Sequence, residues 1–136
     1  MTGYFGQLLY IIRNCKEALK MLRNTNSELV LEWTTPVISG NENELGKLNR
    51  ILQDYLIIRV ANLFDRDTRA ISFENTELKN NANYKSIKKE EIIKYIIDQR
   101  CNFVAHWNKK RGNFIDTAKI LDSDLDNILC DLEKLL

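Results

Sequence analysis

The chain has one histidine, His106, and Arg100 stands six positions before it in the stretch RCNFVAHW. These two residue types suit acid–base chemistry beside an anion. Imidazole titrates near neutral pH and can take or give a proton. Guanidinium is planar and permanently charged, and it offers forked donors to oxyanions such as phosphate.

On an ideal helix Arg100 falls within the apolar stripe of Ile93, Ile97, Val104 and Trp107. Taking its charge out of water costs several kcal/mol, so its head must reach water, an anion or an acid. His106 falls on a polar stripe with Tyr95, Gln99 and Asn102. Asn102, one turn earlier, is placed to fix the imidazole tautomer. Residues six apart point about 120° away from each other, so Arg100 and His106 converge only through a distorted helix or a second copy of the chain. The plainer reading is an exposed helix-end histidine and an arginine covering the core.

The elements that would position this pair are helical. Tyr4, Leu8, Ile11, Cys15 and Leu22 form one stripe, and Asn24, Asn26 and Ser27 then predict its end. SELVLEW reads as a short helix or a strand, and TTPVISGNEN as a loop. A second long helix is predicted from about Asn43 to Phe64. Leu48, Leu52, Tyr55, Leu56 and Leu63 form one of its faces, and Ile57, Val60, Ala61 and Phe64 nearly the opposite one. Such a helix is covered from more than one side, by a bundle or by a second subunit. DRDTRAIS is a charged connection, and FENTELKN a short helical turn. Ser86 before KKEE predicts the cap of a third helix running towards Trp107, with Gly112 as its stop. Ser123 and Asp126 have capping-box spacing ahead of the stripe Leu125, Ile128, Leu129, Leu132 and Leu136. The predicted architecture is all-α: an up-and-down bundle of four main helices with short extra turns, in one domain over residues 1–136.

Composition narrows the function classes. Twenty basic side chains against 19 acidic ones give a net charge of +1, so nucleic-acid binding must rest on a local patch. Cys15, Cys101 and Cys130 are far apart and form no C-x-x-C pair, and they read as small buried residues of a reducing cytosol. The N-terminal apolar run is soon broken by charge and lacks signal-peptide features. The expectation is therefore a cytoplasmic protein with no membrane association. Phosphate-binding glycine motifs and the G-x-S-x-G elbow are absent, and a single histidine argues against an intrachain transition-metal site. No metal and no cofactor are expected.

Arg-x5-His near the end of a late helix, with Ala105 before the histidine in a small helical chain, resembles the HEPN superfamily (higher eukaryotes and prokaryotes nucleotide-binding). The stretch NLFDRDTRAISF, Asn62 to Phe73, is similar to the "LFDRD…S" connection of that superfamily's abortive-infection branch. The resemblance covers roughly residues 45–136. It implies a symmetric homodimer that cleaves RNA without metal, as a toxin or phage-defence effector with a possible antitoxin partner. Arg100 would then bind phosphate, His106 would act as acid and base, and Asn102 would orient it. The basic residues Lys109, Lys110 and Arg111 would hold RNA phosphates. The family carries Asn, Asp or His directly after the arginine, whereas this chain has Cys101. That departure keeps two alternatives open. One is a catalytically inactive HEPN-like module that binds RNA or nucleotide or serves as a dimeric scaffold. The other is an unrelated helical interaction protein in which Arg100 pairs with Asp65 or Asp67.

Overall fold

A computed structural model describes residues 3–33, 44–101 and 117–136, with the side chains of 28–33, 45, 117 and 118 excepted. Every regular element among the described residues is helical. The N-terminal stripe forms α1 (Tyr4–Trp33), and Leu8, Ile12, Cys15, Leu19 and Leu22 are fully buried along it. The helix does not stop at Asn24–Ser27, and SELVLEW continues it rather than forming a strand. The Thr25 hydroxyl donates to the Leu22 carbonyl and that of Ser27 to the Arg23 carbonyl, both at 3.0 Å. Both hydroxyls thus find acceptors within the helix, at a small local cost that the continuing helix tolerates.

The second helix, α2 (Glu44–Asn62), matches its predicted span to within two residues. Both predicted faces are covered: Leu52 and Leu56 are buried, as are Ile57, Val60 and Ala61, between α1 and the helix α4 (Glu91–Gln99). Leu48 departs from expectation. It is 38% exposed and lies on a third face with Ile51 (63%) and Ile58 (37%). The α1–α2 contact also buries polar groups. Asn49 Nδ2 donates to Thr25 Oγ1 at 3.1 Å, and Gln53 Nε2 to Asn49 Oδ1 at 2.5 Å. This satisfied ladder avoids the cost of orphaned amides and fixes how α1 and α2 register.

The predicted third helix is two helices. Ser86 lies inside α3 (Ala82–Lys88), whose cap is Asn81; its Oδ1 accepts from the amides of Asn83 (2.8 Å) and Tyr84 (3.2 Å). The chain breaks at Glu90, which is extended (ψ 137°), before α4 begins. Ile87 and Ile93 explain the break: on one uninterrupted helix they would point about 120° apart, yet both are buried. Gln99, expected on a polar stripe, is also buried, and its Oε1 has no hydrogen-bond partner among the described residues.

After α5 (Thr117–Leu121), α6 (Leu125–Leu135) buries Leu125, Ile128, Leu129 and Leu132 as expected and packs on α1 and α3. The capping box does not form. Ser123 Oγ donates to the Ile120 carbonyl (2.5 Å) and accepts from Leu125, while Asp126 pairs with Arg23 across the α1–α6 contact. Ser123 sits one residue too early to be the cap. Glu133 of α6 adds ion pairs with Arg13 and Lys16 of α1. Such surface pairs are worth little in energy. Of the cysteines, only Cys15 is buried; Cys101 and Cys130 are exposed, against expectation. Burial pushes the Cys15 thiol up to about 12. Among the described residues no helix is long and apolar enough to cross a membrane.

Candidate functional site

Arg100 follows the last residue of α4, where the helix widens into a π turn over Arg100 and Cys101. Such turns often coincide with functional sites because they re-aim one side chain. The Arg100 guanidinium does not lie loosely over the core. Its Nη1 donates to Asn62 Oδ1 at 2.9 Å and to Asp65 Oδ2 at 3.0 Å. The side chains of Arg100 and Asp65 are 24% and 23% exposed. Of the two acids considered for it, Arg100 meets Asp65 and not Asp67.

The connection 63–75 is built to hold Asp65 still. Asp65 accepts from the amide of Asp67 at 2.9 Å, and Asp67 accepts from the amide of Arg69 at 2.9 Å, two consecutive Asx turns. The buried Ser72 donates its hydroxyl to the Asp65 carbonyl at 2.6 Å. Tyr4 reaches across from α1, its hydroxyl accepting from the Ser72 amide (2.9 Å) and donating to the Ala70 carbonyl (3.0 Å). Beneath lies a stack of rings: Tyr84 packs on Phe73 at 5.3 Å and on Phe64 at 5.8 Å between centroids. The Tyr84 hydroxyl donates to Glu74, which also pairs with Lys88. Burial and the Glu74 hydrogen bond push the Tyr84 phenol well above its ordinary range.

Electrostatics follow this geometry. The Asp65 carboxyl lies below its usual range, held there first by the Asp67 amide and then by Arg100, against the upward push of partial burial. Asp67 is lowered from 3.8 to about 2 by its bonds from Arg69. A carboxyl lowered on folding stabilises the fold above its unfolded value, and that stabilisation fades as pH falls. Thermal unfolding followed between about pH 4 and 2 is therefore expected to show acid destabilisation. An Asp65→Asn/Asp67→Asn variant should show a visibly flatter pH dependence, and an unchanged slope would count against this account.

Of the six residues expected in the site, Arg100 alone lies among those described. Asn102, His106, Lys109, Lys110 and Arg111 lie outside the described residues. Asn62 was missed as a site residue in the sequence, although it opens the NLFDRD stretch; its helical face is a signal that could have found it. Among the described residues no three His, Cys, Asp or Glu side chains converge as metal ligands. No protein-family profile, no curated protein and no solved structure matches the chain.

Proposed function

We propose that the chain is a metal-independent endoribonuclease of HEPN type, a cytoplasmic toxin or phage-defence effector that acts as a symmetric dimer of up-and-down bundles. The observation that carries this reading is the clamp on Arg100. A guanidinium has five N–H donors, and the bonds to Asn62 and Asp65 use two, both on Nη1. The other three have a direction fixed before substrate arrives, which is what stabilising charge on a phosphate in the transition state requires. In this mechanism His106 removes the proton of a ribose 2′-hydroxyl as its oxygen attacks the adjacent phosphorus. The bond from phosphorus to the 5′-oxygen breaks, and a protonated imidazole supplies that oxygen with a proton. The products are a 2′,3′-cyclic phosphate and a free 5′-hydroxyl. Asn102 orients the imidazole, and Lys109, Lys110 and Arg111 hold flanking phosphates.

One observation supports a second copy. Leu48, Ile51 and Ile58 leave an apolar stripe on the outer face of α2, a surface suited to self-association.

Cys101 directly after Arg100 favours a second reading, an inactive HEPN-like module that binds RNA or nucleotide or scaffolds a dimer. The Arg100–Asp65 pair is equally the tie of a helical interaction protein. Incubation with RNA in EDTA, beside a His106→Ala variant, separates these readings. The expected result is cleavage that persists with chelator and falls by about 100-fold or more in the variant. Cleavage that the variant retains, or that EDTA abolishes, sinks the mechanism. An antitoxin partner would be expected to suppress the same cleavage.

A further inference from the structure

A groove of about 600 Å³ runs between the first turns of α1 and the middle of α2, lined by Gly6, Tyr10, Asn14, Tyr55, Arg59 and Ile71. Its chemistry is unusual for an idle surface. Tyr10 is 69% exposed, a large ring left in water on a helix that buries Leu8 and Ile12. Across the groove the Arg59 guanidinium lies 5.7 Å from the centroid of the Tyr55 ring. No carboxylate pairs with Arg59 among the described residues, although acids elsewhere neutralise Arg13, Arg23, Arg69 and Arg100. Two aromatic rings, an uncompensated cation and the Asn14 amide thus face one concave space.

We propose that this groove is a nucleobase subsite for single-stranded RNA, a proposal that rests on the ribonuclease reading above and deepens it. Bases stack on tyrosine and on guanidinium planes alike, and the cation serves the adjoining phosphate. Charge favours one occupant: a polyanion gains more from an arginine that pairs with no carboxylate among the described residues than a second copy of net charge +1 does. Position supports the same choice. Tyr55, Arg59 and Asn62 are spaced by four and three residues, so they share one face of α2, and Asn62 holds Arg100. Tyr55 and Asn62 are about 10 Å apart along the axis, a distance that a short single-stranded segment bridges. Ile71 of the groove and Asp65 of the clamp belong to the same self-bonded connection. RNA with a base between Tyr10 and Tyr55 would run along that face to the Arg100 clamp. Duplex RNA would not, because its bases are already stacked.

The test is equilibrium binding of a 12-nucleotide single-stranded RNA to the full chain carrying His106→Ala, which separates binding from cleavage. Adding Tyr10→Ala or Arg59→Ala is expected to weaken binding about ten-fold each, the worth of one stacked base. Tyr10→Phe keeps the ring and should keep affinity, and an abasic oligonucleotide should bind about ten-fold more weakly than the parent. Tyr10→Ala and Arg59→Ala proteins that bind as tightly as the His106→Ala parent, equal binding of the abasic strand, or no RNA binding at all would overturn the subsite. So would a dimer-to-monomer shift in mass caused by Tyr10→Ala, which would make the groove a contact between copies. Tyr10-dependent binding by a parent chain that cuts no RNA would leave the subsite standing and remove the nuclease reading. Cleavage by the parent with affinity insensitive to Tyr10 and Arg59 would do the reverse.

Discussion

Phe73→Ala is expected to lower the unfolding free energy by about 3–5 kcal/mol, the range for truncating a buried aromatic. Phe73 is wholly buried, with Tyr84 stacked on one side at 25° between ring planes. Its amide donates to the Leu63 carbonyl at 2.8 Å, tying the connection to the end of α2. Alanine keeps that backbone bond but empties the space beneath the connection, and Tyr84 and Phe64 cannot close it without leaving their own contacts. A domain is stable by only about 5–15 kcal/mol, so the loss is a large share of the whole. Phe73→Leu, which restores most of the volume but not the ring pair, is expected to cost about 1–2 kcal/mol. Urea unfolding at neutral pH measures both. A Phe73→Ala cost below about 1.5 kcal/mol would mean that the ring stack is not what holds the connection.

The same elements show how much of the fold and site was legible in sequence. Hydrophobic periodicity placed α2 and α6 well, because both helices bury apolar residues that recur every three or four positions over most of their length. It failed where polar residues took roles that hydropathy does not encode. Thr25 and Ser27 satisfy their hydroxyls within α1, so residues that often end helices pass through this one. Asn49 and Gln53 are buried because they complete each other's hydrogen bonds, a pairing visible only once α1 and α2 lie side by side. The break at Glu90 is a tertiary demand: Ile87 and Ile93 both need cover, and local sequence carries a strong cap signal at Ser86 instead.

The site was legible to a different degree. That the head of Arg100 must reach water, an anion or an acid followed from its position in an apolar stripe, and Asp65 supplies an acid. Its choice over Asp67 was not legible, because the two carboxylates are separated by the Asx turns: Asp65 faces the end of α4, and Asp67 is turned back on Arg69. The connection after α2 is a self-bonded turn that sets one carboxylate against Arg100. A charged, self-bonded segment of this kind is expected wherever a side chain must be held to a fraction of an ångström.

If the chain is the proposed ribonuclease, Arg100→Ala is expected to reduce RNA cleavage by about 10²- to 10³-fold, the effect of removing one preorganised donor from a developing oxyanion. The fold should survive. The pair with Asp65 is partly exposed, so its loss costs about 1–2 kcal/mol after allowance for solvent screening. Arg100→Lys should rescue little, since an ammonium on a flexible stem cannot hold Asn62 and Asp65 through one nitrogen while directing further donors at a phosphate. Asp65→Asn keeps an acceptor but removes the charge that fixes the guanidinium, and an intermediate loss of about ten-fold is expected. If Arg100 and His106 serve one transition state, Arg100→Ala/His106→Ala should be no slower than the worse single variant, because groups acting as a unit are not additive. Single-turnover cleavage of one RNA by the parent and by these variants, His106→Ala included, measures this directly. Two independent losses that multiply would place Arg100 outside the reacting site and leave the Asp65 pair as a structural tie between α4 and the connection.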